Sequence, residues 1–171
     1  MATANVQDRV QMPLVFAIVA VATVGGLLFG YDSGAVNGTQ AGLRDAFALD
    51  DAGLGFTVGS LLIGCAAGAF LAGRMADAFG RKRVMMASAV IFLVGALIQG
   101  LTGDHTVFVI ARFAGGMAVG AASVLSPAYI SEVAPASMRG RLTSIQQVMI
   151  ITGLTAAFVV NYFLAAAAAS S

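Results

Sequence analysis

Charge is what this chain has least of. Only 10% of its 171 residues are charged, 59% are hydrophobic, and the mean hydropathy is +0.92. A soluble domain carries about 25% charged residues, so the chain cannot cover a water-facing surface with what it has. The net charge of +1 gives no basic face of the kind nucleic-acid binding needs. The single cysteine, Cys65, excludes an internal disulfide. It lies in an apolar run and reads as a small buried packing residue rather than a reactive thiol. The single histidine, His105, leaves no metal-ligating constellation. There is no H-E-x-x-H, paired CxxC, Walker loop or GxGxxG, and so no sign of a metal site, a cofactor or an enzyme.

What is present is length without charge. The uncharged stretches are 10–31, 52–73, 84–103, 113–131 and 142–171, holding 22, 22, 20, 19 and 30 residues. A bilayer core of about 30 Å takes about 20 apolar residues as helix. In lipid only helices and closed barrels satisfy their own backbone groups. A barrel needs alternating strands of about ten residues, and runs such as Val84–Ile98 do not alternate. The reading is an all-α membrane protein with five spans, about 13–33, 52–73, 84–103, 106–130 and 141–165. A signal peptide over the first run, cleaved near Ala20-Val21-Ala22, is the competing reading. The run is long for a signal core, and four more spans follow it.

The basic residues sort to one side. Arg9 precedes the first span, Arg74, Arg81, Lys82 and Arg83 join spans two and three, and Arg139 and Arg141 join spans four and five. Only Arg44 lies in a loop on the other side, and Arg112 falls inside span four. The positive-inside rule then puts residues 1–12 in the cytoplasm. Pro13 suits a first helical turn. Asp50 or Asp51 suits the cap of span two, and Asp104 that of span four. Residues 34–50 read as the longest outer loop, Gly73 and Gly80 as the turn formers between spans two and three, and Pro127 as a bend in span four. Gly64 and Gly68, then Gly116 and Gly120, have the four-residue spacing that lets membrane helices approach closely. The terminal "NYFLAAAAASS", after an odd number of spans, reads as a truncated boundary.

Two charges stand inside the apolar runs. Asp32 lies roughly 28 Å along a helix starting near Pro13, and Arg112 roughly 9 Å into the returning span four. They share a depth. An unpaired charge in lipid costs several kcal/mol, and such residues pair or line an aqueous path. The alternative for Asp32 is an interfacial cap of the outer loop. At the opposite membrane side, Glu132 ends span four, where an acid opposes the helix dipole and needs a cation such as Arg139, Arg81 or Arg74. Asp77 sits among four basic residues, so local ion pairing is expected there too. Span five carries Gln146, Gln147, Thr152 and Asn161. Carboxamides offer donor and acceptor to neutral polyols but also serve as glue between helices.

Together these segments resemble a known family. "GRMADAFGRK" resembles the G-x-x-x-D-x-x-G-R-[RK] signature of major facilitator transporters, with Ala78 where a basic residue is frequent. "GGLLFGYDSGAVNG", "RFAGGMAVGAASVLSPAYISEVAPASMRGRL" and "IQQVMIITG" with "NYF" resemble the sugar porter branch. The resemblance implies a twelve-helix fold in two halves, each a three-plus-three inverted repeat, of which this chain holds five helices of the N-terminal half. It implies a secondary active transporter taking up a monosaccharide or related polyol with a proton, in a plasma (inner) membrane. Its partners would be sugar, proton, the bilayer and the missing C-terminal half.

The same resemblance implies proton coupling by Asp32 and Arg112. It implies sugar contacts by Gln147, with Phe29 and Gly64 near the sugar, and a cytoplasmic gate network of Asp77, Arg81, Glu132 and Arg139. A second sugar-contacting glutamine of the family is Leu154 here. The alternatives are a facilitative uniporter, against which Asp32 argues, and a drug:proton antiporter, against which a proline-free Ile150–Phe163 argues. A non-transporting membrane fragment or interaction subunit is the alternative of a different class.

Overall fold

The computed structural model describes the backbone of residues 12–133 and 139–169 and the side chains of 23–132 and 139–167. Every element in these residues is a helix. They are α1 (Met12–Gly38), α2 (Gln40–Phe47), α3 (Asp51–Phe79), α4 (Arg81–Leu101), α5 (His105–Val133) and α6 (Arg139–Ala169). The five expected spans are α1, α3, α4, α5 and α6. Each helix except α4 runs past the bounds expected for its span at both ends, because charged and polar residues at the ends of the apolar runs still take helical geometry. Among the described residues α3 to α6 are each long and apolar enough to cross a membrane.

The caps follow the sequence. The Asp50 carboxylate accepts the Gly53 N–H at 2.7 Å, and that of Asp104 accepts the N–H groups of Thr106 and Val107 at 2.8 and 3.0 Å. Each satisfies donors that a helix start leaves free. Gly80 takes φ +84°, a conformation that L side chains rarely adopt, between the end of α3 and the start of α4. Gly73 makes no turn; α3 runs straight through it. α5 likewise continues through Pro127.

The expected outer loop 34–50 is mostly helical. α1 continues to Gly38, and Asn37 and Thr39 return their side chains to the Ser33 and Ala35 carbonyls at 3.0 Å each. Leu43 and Phe47, four apart, then give α2 an apolar edge.

The helices pack as pairs. α1 lies along α6, α3 along α5, and α4 covers the other side of α5. Of α3 to α6, α5 is the most enclosed by its neighbours and α6 the least. A small core of Ala72, Ala76, Val84, Ala121 and Leu125 closes the end of α3, α4 and α5 near Gly80. Outward, Phe70, Leu101, Tyr162 and Phe163 stay largely exposed. Such broad apolar faces suit hydrocarbon rather than water.

Candidate functional site: a buried ion pair between two helix pairs

Glycine rows make the site by drawing helices together. On α3, β-carbons at Gly64 and Gly68 would run into the carbonyls of Phe113 and Met117. On α5, those at Gly116 and Gly120 would run into the carbonyls of Leu61 and Cys65. The close approach expected from the four-residue spacing is therefore reciprocal. Arg112 continues the α5 row one turn outward, in the place of a third glycine. Its side chain is 2% exposed.

On α1 the row is Gly26, Gly30, Gly34 and Gly38, and every member meets α6. Asp32 is two residues from Gly30 and Gly34, so about 200° around the helix. It therefore faces away from α6 and toward α5. Its carboxylate Oδ2 stands 3.9 Å from Arg112 Nη1, with the side chain 18% exposed. Oδ2 and Arg112 Nε are both buried without a hydrogen-bond partner. The two charges thus share a site without a closed hydrogen bond. Arg112 Nη1 does donate to Gln99 Oε1 of α4, at 3.2 Å.

The end that carries the Asp50 and Asp104 caps holds a contact not expected from the sequence. The buried Thr57 hydroxyl donates to the Gly53 carbonyl at 2.7 Å and lies 2.7 Å from His105 Nε2. A hydroxyl has one proton, so with that proton on Gly53 it accepts from Nε2–H. The imidazole stacks at 5.4 Å on Phe47, which meets Phe108 at 5.7 Å. α2 is tied over α3 and α5 in this way.

At the other end Arg81 of α4 pairs with Glu132 of α5, the side chains 35% and 52% exposed. Exposed pairs of this kind are worth ~0–1 kcal/mol. Asp77 lies exposed in the last turn of α3, and among the described residues it forms no ion pair with the basic residues around it. Arg139 is exposed at the first position of α6.

Gln147 is exposed on a cleft of about 330 Å³ between α5 and α6, shared with Ser123, Pro127, Thr143, Ser144, Gln146 and Ile150. That is the small end of the range for ligand pockets. Asp32 and Arg112 are not among its lining residues. Gln146 is held from the α5 side by Ser126 Oγ at 3.4 Å. Phe29 is half-buried on α1. Gly64 is closed off by the α5 backbone, so its place is in helix packing.

The family model for sugar (and other) transporters matches residues 18–171. This chain belongs to the sugar transporter family. It is 43% identical over 165 residues to the glucose transport protein of Synechocystis sp., covering 96% of this chain and 35% of that protein. It is 40% identical to the D-xylose-proton symporter of Escherichia coli K12, covering 88% of this chain and 36% of that protein. The inward-open structure of the E. coli xylose transporter XylE superposes with TM-score 0.76 at 40% identity, covering 88% of this chain and 40% of that one. The chain thus spans about a third of the length of these curated relatives. Its fold is that of a major facilitator sugar porter, and proteins of this family are transporters, not enzymes. Among the residues given a role by sequence, Asp32 meets Arg112 and Arg81 meets Glu132. Gln99 and His105 stand outside that set.

Proposed function

We propose that the protein carrying this chain couples uptake of a monosaccharide or related polyol to proton entry by alternating access. The observation that carries this reading is the Asp32–Arg112 pair. It links α1 to α5, and so joins the α1/α6 pair to the α3/α4/α5 group with a titratable contact. Opposite charges attract far more strongly in a poorly hydrated interior than in water. Protonating Asp32 removes that attraction and loosens the joint. Two groups of helices that rock about a shared site, with a titratable link between them, can transport by turns to each side.

The remaining roles extend this reading. Gln147 presents its amide to sugar hydroxyls from the α5/α6 cleft, with Phe29 nearby on α1; Gly64 acts by bringing α3 onto α5. Arg81 and Glu132, with Arg139 and Asp77 on the same side, form the cytoplasmic gate, whose weak exposed pairing suits a contact broken in each cycle. Residues 1–12 lie in the cytoplasm and 13–171 form part of the N-terminal half in a plasma (inner) membrane. A C-terminal half completes the sugar site. The relatives named as proton symporters support the coupling, and the seven basic residues of one side support the orientation. Cysteines at Ala78 and Gly42 should label from opposite membrane faces; labelling from one face would overturn the orientation.

The decisive test uses the full-length transporter in proteoliposomes. Asp32→Asn should abolish sugar accumulation driven by a pH gradient while sugar exchange at equal concentrations persists. Accumulation equal to wild type would make Asp32 the edge of the outer segment and end the symporter reading.

A further inference from the structure

Gln99 lies near the end of α4, on a different helix from either member of the pair, yet it touches Arg112. Its amide is fixed from both ends. Nε2 donates to the Gly95 carbonyl one turn back at 3.2 Å, and Oε1 accepts from Arg112 Nη1 at 3.2 Å. The surroundings make room for this. A β-carbon at Gly95 would stand 3.2 Å from the Ala111 carbonyl, and one at Gly115 would stand 3.9 Å from the Gln99 amide nitrogen. A side chain at Gly95 would crowd α4 against α5 at the level where the amide reaches across, whereas a β-carbon at Gly115 would only touch it. The guanidinium nitrogen that bonds Gln99 is the one that faces Asp32 at 3.9 Å. One guanidinium nitrogen, which carries two N–H groups, is therefore anchored on a neutral acceptor in hydrogen-bond range while the carboxylate stands outside that range.

We infer that Gln99 is a positioning residue for the coupling pair: it holds Arg112 back from Asp32 and so sets how much acid the carrier needs to take up its proton. This rests on the symporter reading. The other titratable group near the pair is the Cys65 thiol of α3, which lies within electrostatic reach of both charges. Removing the Gln99 acceptor frees the guanidinium to close onto Asp32 and favours the carboxylate. A carboxylate in place of the amide draws the guanidinium away and favours the protonated acid.

The test measures sugar-dependent proton uptake against pH in proteoliposomes of the full-length transporter, with the melting temperature as a check of folding. Gln99→Leu should shift the half-maximal pH toward acid by about one unit, and Gln99→Glu toward alkali by a similar amount. Gln99→Asn, one methylene shorter, should follow Gln99→Leu and replaces it if the leucine variant does not fold. Opposite shifts in folded variants support the inference, because loss of packing would move all three the same way. Profiles that coincide with wild type, or that move in one direction for all, overturn it while leaving symport intact. Absence of sugar-dependent proton uptake in wild type overturns the symporter reading itself.

Discussion

The α3/α5 seam and the α1/α6 seam are built from the same residue and work differently. On α3 and α5 the glycines are reciprocal: Gly64 and Gly68 meet the α5 backbone, and Gly116 and Gly120 meet the α3 backbone. On α1 and α6 the row is one-sided. Four glycines of α1 face α6, and only Gly153 answers, against the Leu27 carbonyl. The outer end of that row is closed by a side chain, with the Asn161 amide in the space beside Gly38 and donating to the Gly34 carbonyl at 3.0 Å. Spans one and four, and two and five, are repeat mates in an inverted-repeat half, so each seam is the counterpart of the other. One is backbone on backbone and cannot yield; the other has a movable side chain at its end. Both are tight within their pair, and between them lie the Asp32–Arg112 ion pair and the Ser126–Gln146 hydrogen bond. Stiffness within pairs and a titratable contact between them is the arrangement on which the proposed proton coupling rests.

The largest expected effect breaks the unyielding seam. Gly116→Val puts a branched side chain against the Leu61 carbonyl and the Cys65 N–H, backbone that has nowhere to go. Overpacking of this kind costs about 3 kcal/mol, and little folded protein should be recovered from membranes. A melting temperature in detergent equal to wild type would mean that the seam is looser than described.

Gly38→Ala should cost less than Gly116→Val, because the atom it meets first is the Asn161 side-chain nitrogen, which can turn away. Asn161→Ala removes the hydrogen bond to Gly34, a loss of about 0.6 kcal/mol for such bonds in membranes. With Asn161 already alanine, Gly38→Ala should cost less than it does alone, because only the residue-161 β-carbon remains in its way; thermal melts of the two single variants and the double variant read this coupling directly. Full additivity would contradict the contact.

The smallest effect on stability is expected at the Arg81–Glu132 end. Glu132→Gln removes the pairing with Arg81 and should change the melting point by the equivalent of ~0–1 kcal/mol. Net transport should slow because the inside-closed state is loosened, with sugar affinity less affected. Uptake rates unchanged across sugar concentrations would count against a gate at this pair.

The seams also mark how far the sequence carries. Apolar run length located all five long helices, because a bilayer fixes how many residues each needs. The shared depth of Asp32 and Arg112 and the four-residue glycine spacing on α3 and α5 were legible for the same reason, being simple consequences of helix rise. The helicity of residues 34–47 was not. It goes with the tertiary contact of Phe47 with His105, and polar composition there signals a loop equally well. Gln99 was missed because a glutamine near a helix end carries no signal of its own; only the crossing of α4 over α5 brings it to Arg112. His105, read only as a missing metal ligand, found its partner in Thr57, 48 positions away. Gly73 misled because a glycine permits a turn without requiring one.

The central claim is that protonation of Asp32 loosens the joint between two helix groups that each stay intact. Spin labels at exposed positions measure this in the full-length transporter after Cys65→Ser. One pair, at Leu101 and Tyr162, reports between the groups; the other, at Leu101 and Phe56, reports within one. The account predicts that the Leu101–Tyr162 distance distribution shifts between acid and neutral pH while the Leu101–Phe56 distribution holds. In Asp32→Asn the between-group distribution should match the acid form at every pH. A between-group distance in wild type that ignores pH, or one that still follows pH after Asp32→Asn, would contradict it.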